Sequence, residues 1–232
     1  VITFVFFGHL LEASGGSKFF TDISVALMGR FRGGSSKIAI SASCLFGSIS
    51  GSAVSNVVST GVITIPMMKR GGYPGHIAGA IEAVASTGGQ LMPPIMGAAA
   101  FVMAEFLQVP YGDVVIAAIV PALLYYATLF IQADLYAARH GISRVDEDLI
   151  PARGRVFKAG WPFLIPFAVL IIALYNLNLR PDTSALAAAL AVVIVGMGLG
   201  YGGARMKLGA VLRSFSTTGI AVTQIVMIGA MA

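Results

Sequence analysis

The sequence predicts an all-α integral membrane protein: multiple transmembrane helices with a re-entrant helical hairpin and a discontinuous helix. Three observations predict it. Hydrophobic residues make up 57% of the 232 residues and charged residues only 11%, against about 25% charged in soluble domains, and the mean hydropathy is +0.87. Several windows of roughly 20 residues carry no charge, the length that crosses a hydrocarbon core about 30 Å thick. Two stretches of 31 residues, 38–68 and 77–107, exceed one straight crossing and hold Gly, Ser or Pro at their centres.

The composition also excludes several classes. Cys44 is the single cysteine, so a disulfide framework and a Cys-based metal site are ruled out. The formal charge is +5, but the basic residues fall in short clusters between apolar runs. That pattern fits the positive-inside rule and a lipid bilayer as partner, with no nucleic acid. No charged n-region or small-residue cleavage site precedes Val1, so no signal peptide is read. The chain also stops inside an apolar run, 220–232, and the expectation is an internal piece of a longer protein.

Residues 1–37 read as the end of a membrane helix, halted at 12–16, followed by a short segment, 19–28. The latter contains Asp22 between Lys18 and Arg30; it is too short to span and is expected at the interface or as a link between spans. Arg30, Arg32 and Lys37 mark a cytoplasmic loop.

Residues 38–68 have no charged side chain and are closed by Lys69 and Arg70. As one straight helix they would extend about 46 Å, beyond the hydrocarbon core. Their middle, Gly47-Ser-Ile-Ser-Gly-Ser-Ala-Val-Ser-Asn56, is rich in turn and cap formers. Both flanks are basic and prefer the cytoplasm. Two short helical arms meeting at a Gly/Ser tip satisfy all three facts, whereas a tilted span satisfies only the length.

Within 69–138, residues 77–107 include Glu82, Glu105 and the centre Ser86-Thr-Gly-Gly-Gln-Leu-Met-Pro-Pro94. Paired glycines add backbone freedom and the prolines remove two amide donors, so two half-helices around an unwound centre are expected. A span over 114–133 follows. Residues 139–160 form a cytoplasmic loop with Arg139, Arg144, Arg153, Arg155 and Lys158 beside Asp146, Glu147 and Asp148. In 161–232, spans are expected at 161–179, with Trp161 and Tyr175 as interfacial anchors, at 183–204, and from Ser214 onward. Every basic loop then falls on one face, provided the hairpin counts as no crossing.

The two broken segments carry the chemistry. Unwound membrane helices expose backbone carbonyls, and half-helix ends add partial charges. The candidate ligands of a small hard cation are Ser50, Ser52, Ser55 and Asn56 at the tip, with Thr87, Gly88 and Gly89 from the broken helix. The competing reading is that these small residues only permit close helix packing. Glu82, an intramembrane acid, is a functional candidate; it carries a proton, pairs with a basic group, caps an unwound end, or is a buried acid satisfied by hydrogen bonds. Gln90 and Pro93 join it as candidates for substrate contact or coupling. Glu105 lies near a membrane end and reads as a boundary residue. His9, His76 and His140 sit at loops or helix ends, against a metal cluster. The glycines 196, 198, 200 and 202 read as a packing stripe.

An enzyme is not expected. A hydrolase elbow requires Gly-x-Ser-x-Gly, and Gly47-Ser-Ile-Ser-Gly51 has isoleucine at that serine. No ATP-binding motif is present. A passive channel and an intramembrane hydrolase are the weaker alternatives.

The run from Phe46 to Asn56, then Thr60-Gly-Val-Ile-Thr-Ile-Pro66 and Lys69-Arg-Gly-Gly-Tyr73, resembles the large permease subunit of tripartite ATP-independent periplasmic (TRAP) transporters. Glu82-Ala-Val-Ala-Ser-Thr-Gly-Gly-Gln90 and Pro93-Pro-Ile-Met-Gly-Ala-Ala-Ala-Phe101 look most like the fused permeases of the TAXI-type branch. The resemblance is densest between Gly29 and Tyr111. It implies a secondary active transporter of a bacterial or archaeal inner membrane, coupled to Na+ and working by an elevator movement. It also implies a periplasmic substrate-binding protein that delivers an organic anion, and a small membrane subunit or its fused equivalent. The tip 50–56 and the break 87–89 correspond to one sodium site of that family. The resemblance further implies a second, inverted repeat with its own hairpin and ion site beyond this chain, which would then be one half of an inverted-repeat secondary transporter. Proton coupling through Glu82 is the alternative.

Overall fold

Apolar periodicity without strand-forming alternation leads to helices throughout, and no strand is present among the described residues. The computed structural model describes residues 2–177, 179–201 and 205–231. In chain order the helices are α1 (Ile2–Ala13), α2 (Gly16–Met28), α3 (Gly34–Ser50), α4 (Ala53–Arg70), α5 (Gly75–Gly88), α6 (Ala98–Leu107), α7 (Tyr111–Arg139), α8 (Arg153–Gly160), α9 (Leu164–Ile171), α10 (Pro181–Gly198) and α11 (Leu208–Met231). Three helical runs among the described residues are long and apolar enough to cross a membrane: Tyr111–Arg139, Glu147–Asn176 and Pro181–Gly198. The chain is an all-α membrane protein.

It forms two compact units, interleaved along the sequence. One comprises Val1–Gly16, Ala98–Val114 and Ala159–Ala232, the other Ser17–Gly97 and Val115–Lys158. The expected segment 69–138 therefore contributes to both.

In the first unit α1 packs on α10 and α11. It buries Phe4, Phe7, Leu10 and Leu11, with Phe4 4.8 Å from Phe101 between ring centroids and Phe7 edge-on to Phe167 at 6.1 Å. On α10 the buried residues Ala185, Ala188, Ala189 and Val192 recur at helical spacing, and their small side chains let α1 approach. The glycine stripe divides on inspection. A Cβ on Gly196 would lie 2.9 Å from the Cβ of Ser14, whereas Gly198 faces open space. Gly200 takes a positive φ of 62°, and Gly202 lies outside the described residues.

In the second unit α3, α4 and α5 pack on one another. The hairpin is present, but its turn is tighter than the sequence suggests. Helix continues through Ser50 and resumes at Ala53, leaving only Gly51 and Ser52. Gly51 sits at φ 59°, a left-handed cap whose N–H donates to Gly47 O; only glycine adopts this without strain. Ser52 is extended, and its hydroxyl accepts from the Ser55 N–H at 3.3 Å, which caps α4. The Gly and Ser residues flanking the turn stay helical because packing outweighs their weak propensity.

At the other end of the hairpin, Ser36 Oγ lies 2.8 Å from Tyr73 Oη, and a Cβ on Gly71 would lie 2.7 Å from Ser35 Oγ. The start of α3 and the end of α4 are thus side by side. The base is tied to α7 by Asp134, which takes Arg32 and Lys37 together, the latter at 2.6 Å. Tyr73 stacks on Tyr136, and Tyr136 on His140. The Gly33 N–H donates to the carbonyls of Ile142 and Ser143.

Other boundaries shift. The expected break at 86–94 begins later: α5 runs to Gly88, a 3-10 turn covers Gly89–Leu91, and α6 starts at Ala98. Thr87 remains helical, with its hydroxyl donating to Ala83 O at 2.8 Å. α7 extends past the expected span to Arg139, with Ala133 and Ala137 buried. The loop 139–160 contains helix α8, whose Arg153 Nε donates to Ala26 O at 3.1 Å. The span from Trp161 tightens into a 3-10 turn at Trp161–Phe163 and widens into a π turn at Ile172–Asn176. α11 begins at Leu208, ahead of Ser214.

Candidate functional site

The hairpin tip meets the break after α5. The Ile95 N–H donates to Ser48 O at 3.2 Å, and a Cβ on Gly51 would strike Met96 O. Gly47 and Gly89 touch through their backbones, since a Cβ on either would lie 2.6 Å from the other's Cα. The C-terminal ends of α3 and α5 therefore converge. Helix C-termini carry partial negative charge and under-used carbonyls, so two of them together favour a cation.

The predicted tip residues gather here. Asn56 is fully buried, and its Nδ2 donates to Ser43 O at 2.8 Å. The Asn56 N–H donates to Ser52 O, and Ser50 Oγ approaches the same carbonyl at 3.5 Å. Ser50, Ser52 and Ser55 are half-buried. From the break, Gly89 lies against Gly47 and Asn56, whereas Gly88 packs under the Tyr125 ring. Thr87 is exposed and its hydroxyl is engaged within its own helix. Gln90 is exposed at its side chain, while its carbonyl accepts from the Gly97 N–H at 2.8 Å. Pro93 is half-buried and precedes a cis bond to Pro94.

Glu82 lies inside the same three-helix arrangement, fully buried. Its Oε1 accepts from Ser43 at 2.9 Å, Thr60 at 2.5 Å and Ser86 at 3.3 Å; Oε2 accepts from Thr64 at 2.5 Å. These four hydroxyls come from α3, α4 and α5 and are themselves fully buried. No basic side chain among the described residues pairs with Glu82. Of the roles left open by the sequence, pairing with a basic group is not seen among the described residues, and the carboxyl is hydrogen-bonded by four hydroxyls. Sequence reading missed its partners Ser43, Thr60, Thr64 and Ser86. The signal was present in Thr60 and Thr64, four apart, which one helix face must bring together.

Residues 1–232 match the family described as tripartite ATP-independent periplasmic transporter, DctM component. The 2,3-diketo-L-gulonate TRAP transporter large permease protein YiaN of Escherichia coli (strain K12) is 27% identical over 183 residues, covering 78% of this chain and 42% of the relative. The C4-dicarboxylate TRAP transporter large permease protein DctM of Pseudomonas aeruginosa is 29% identical, over 80% of this chain and 43% of the relative. The sialic acid TRAP transporter permease protein SiaT of Haemophilus influenzae is 26% identical, over 80% of this chain and 30% of the relative. The chain thus spans less than half the length of the curated relatives it matches. With a family match over residues 1–232, the chain belongs to the DctM component of the tripartite ATP-independent periplasmic transporters.

Proposed function

We propose that this chain forms part of the large permease of a secondary transporter that couples entry of a cation, sodium, to import of an organic anion. The single observation that carries the proposal is the meeting of the α3 and α5 C-termini at Gly47 and Gly89, beside the buried Asn56 amide. Sodium prefers oxygen ligands, and helix C-terminal carbonyls with Asn and Ser oxygens supply them. Asn56, Ser50, Ser52 and Ser55 with the carbonyls near Gly88 and Gly89 are the proposed donors. The ion is cargo, bound and released in each cycle. The proposed substrate class follows the two relatives named for C4-dicarboxylate and sialic acid.

In this reading an extracytoplasmic binding protein delivers the anion in a bacterial or archaeal inner membrane. A small membrane subunit completes the assembly, or is fused as in the similar permease protein DctMQ for isethionate. The re-entrant placement of the hairpin, an elevator movement and membership of the fused TAXI-type branch belong to the same proposal. The test is uptake of labelled succinate or sialic acid by a full-length permease carrying this sequence, with and without a sodium gradient. Asn56→Ala and Ser52→Ala are expected to lower sodium dependence strongly. Unchanged dependence in both variants removes the tip from the ion site.

A second reading, proton coupling through Glu82, is favoured by the burial of that acid without a basic partner. An unaltered pH profile in Glu82→Gln eliminates it.

A further inference from the structure

Helix α8 carries Arg153, Arg155 and Lys158 and no acid. All three are exposed, and none enters an ion pair among the described residues. Of the acids before it, Asp146, Glu147 and Asp148, only Glu147 forms an ion pair among the described residues, and its partner is Arg144. The helix lies near the start of the apolar run Glu147–Asn176, which is long enough to cross a membrane. Its charges therefore stand at a membrane boundary, and the exposed Trp161 follows them in sequence, a residue type typical of that depth. Beside them runs an apolar groove of about 340 Å³, walled by Ile23, Ala26 and Leu27 of α2 and by Arg153, Gly154 and Phe157 of α8. Arg153 and Phe157, four apart, share one face of their helix. Arg153 Nε donates to Ala26 O at 3.1 Å, which sets the guanidinium at the groove and leaves its other donors for an anion. A Cβ on Gly154 would meet nothing within 4 Å, so the groove is open above that residue. α2 has one base, Lys18, and one acid, Asp22, and adds no net charge.

We propose that the groove between α2 and α8 binds one anionic phospholipid, with an acyl chain along Ile23, Leu27 and Phe157 and the headgroup phosphate on Arg153. Arg155 and Lys158 add positive charge beside it. A guanidinium fork matches a phosphate, and basic pockets at membrane boundaries select anionic headgroups. An unbranched chain suits walls that are apolar apart from Arg153. Neither competitor uses both halves of the site: a zwitterionic lipid gains less from the charge, and a free phosphate leaves the groove empty. A second groove, at the C-terminal end of α2, lacks the charge. Met28, Phe31, Phe130 and Leu135 line it with Lys37 and Asp134, and Asp134 already takes both Lys37 and Arg32. The inference is independent of the cation-site reading.

The experiment uses a purified full-length permease carrying this sequence in neutral detergent. The probes are phosphatidylglycerol, phosphatidylcholine with the same acyl chains, and inorganic phosphate. Retained lipid is counted by native mass spectrometry, and half-saturation is read from stabilisation against thermal unfolding. Phosphatidylcholine is expected to need about tenfold more lipid than phosphatidylglycerol, and inorganic phosphate to give no stabilisation. Gly154→Leu fills the groove without touching a charge, and leucine is the better helix former. It is expected to retain one phosphatidylglycerol fewer than the parent. Arg153→Gln is expected to raise half-saturating phosphatidylglycerol about tenfold, the scale of a lost charged hydrogen bond. Arg155→Gln with Lys158→Gln is expected to raise it about fivefold, and Arg32→Gln, at the neutralised groove, to stay within about twofold.

Equal binding of the two lipids overturns the inference, since the headgroup charge would not be read. Stabilisation by inorganic phosphate equal to that by phosphatidylglycerol also overturns it, because the site would then serve a soluble anion. So does a parent-like lipid count in Gly154→Leu, or a loss in Arg32→Gln as large as that in Arg153→Gln. If Arg153→Gln does not fold, the variant with both Arg155→Gln and Lys158→Gln decides: a rise in half-saturation supports the inference, and a parent-like value overturns it.

Discussion

Gly47 and Gly89 meet backbone to backbone: a methyl group on either would come within 2.6 Å of the other's Cα. The obstacle is main chain on both sides, which cannot rotate away as a side chain can. Gly47→Ala and Gly89→Ala should each destabilise the protein by about 1–3 kcal/mol, the usual cost of overpacking. Thermal unfolding of the purified permease checks this, and two variants with the parent's melting temperature would refute the contact. On the proposed cation site, sodium-dependent uptake by the full-length permease should fall further than stability alone explains, since the same contact brings the two helix ends together.

Gly88 presents a different obstacle. Its Cβ would lie 2.2 Å from Cε1 of Tyr125, a ring whose hydroxyl donates to Val84 O at 2.8 Å. Gly88→Ala should displace the ring and forfeit a bond worth about 1 kcal/mol. Combining it with Tyr125→Ala should cost less than the sum of the two single changes, with a coupling of at least about 0.5 kcal/mol. Strict additivity in the melting data would show that ring and glycine do not conflict.

Thr87 and Asn56 separate the candidate ligands experimentally. Thr87 is exposed and its hydroxyl donates to Ala83 O, whereas Asn56 is fully buried beside the converging helix ends. Thr87→Val should change stability by no more than about 0.5 kcal/mol and leave sodium half-saturation in place. Asn56→Ala should weaken sodium binding strongly. Equal effects in a sodium titration of both variants would place the ion elsewhere.

Asp134 fastens the hairpin base to α7 by accepting from Arg32 and Lys37. Lys37 is the more sheltered partner, with a side chain 13% exposed against 53% for Arg32. Asp134→Asn should therefore lower the melting temperature more than Arg32→Gln does, because it leaves the sheltered ammonium without its counter-charge. The deficit should persist in high salt, where an exposed pair would already be screened. A larger loss from Arg32→Gln would reverse the assignment.

The placement of Glu82 shows how far sequence reading reaches. An acid in an apolar segment is visible in the sequence as an anomaly, and so its functional candidacy follows. Its partners are not visible, because Ser43, Thr60 and Thr64 lie up to 39 positions away and resemble any other hydroxyl in a small-residue helix. Thr87 illustrates the opposite error. Adjacent to two glycines, it reads as part of an unwound centre, yet the helix persists and turns its side chain outward. The tip behaves likewise: ten residues of weak helix propensity, 47–56, yield a turn of only two, Gly51 and Ser52. Local propensity is small beside the packing of α3 on α4 and α5.

By itself the sequence determined the solvent, the helical class, the hairpin between two basic flanks and the existence of a break near paired glycines. Those properties follow from hydropathy, charge and backbone freedom, which each residue carries wherever it lies. Only the tertiary structure decided that the break docks on the hairpin tip, that Gly47 meets Gly89 and that Asn56 turns its nitrogen to Ser43. It alone decided that four hydroxyls from three helices converge on Glu82. Such relationships depend on distances between segments remote in sequence, and close packing of main chain against main chain sets those distances.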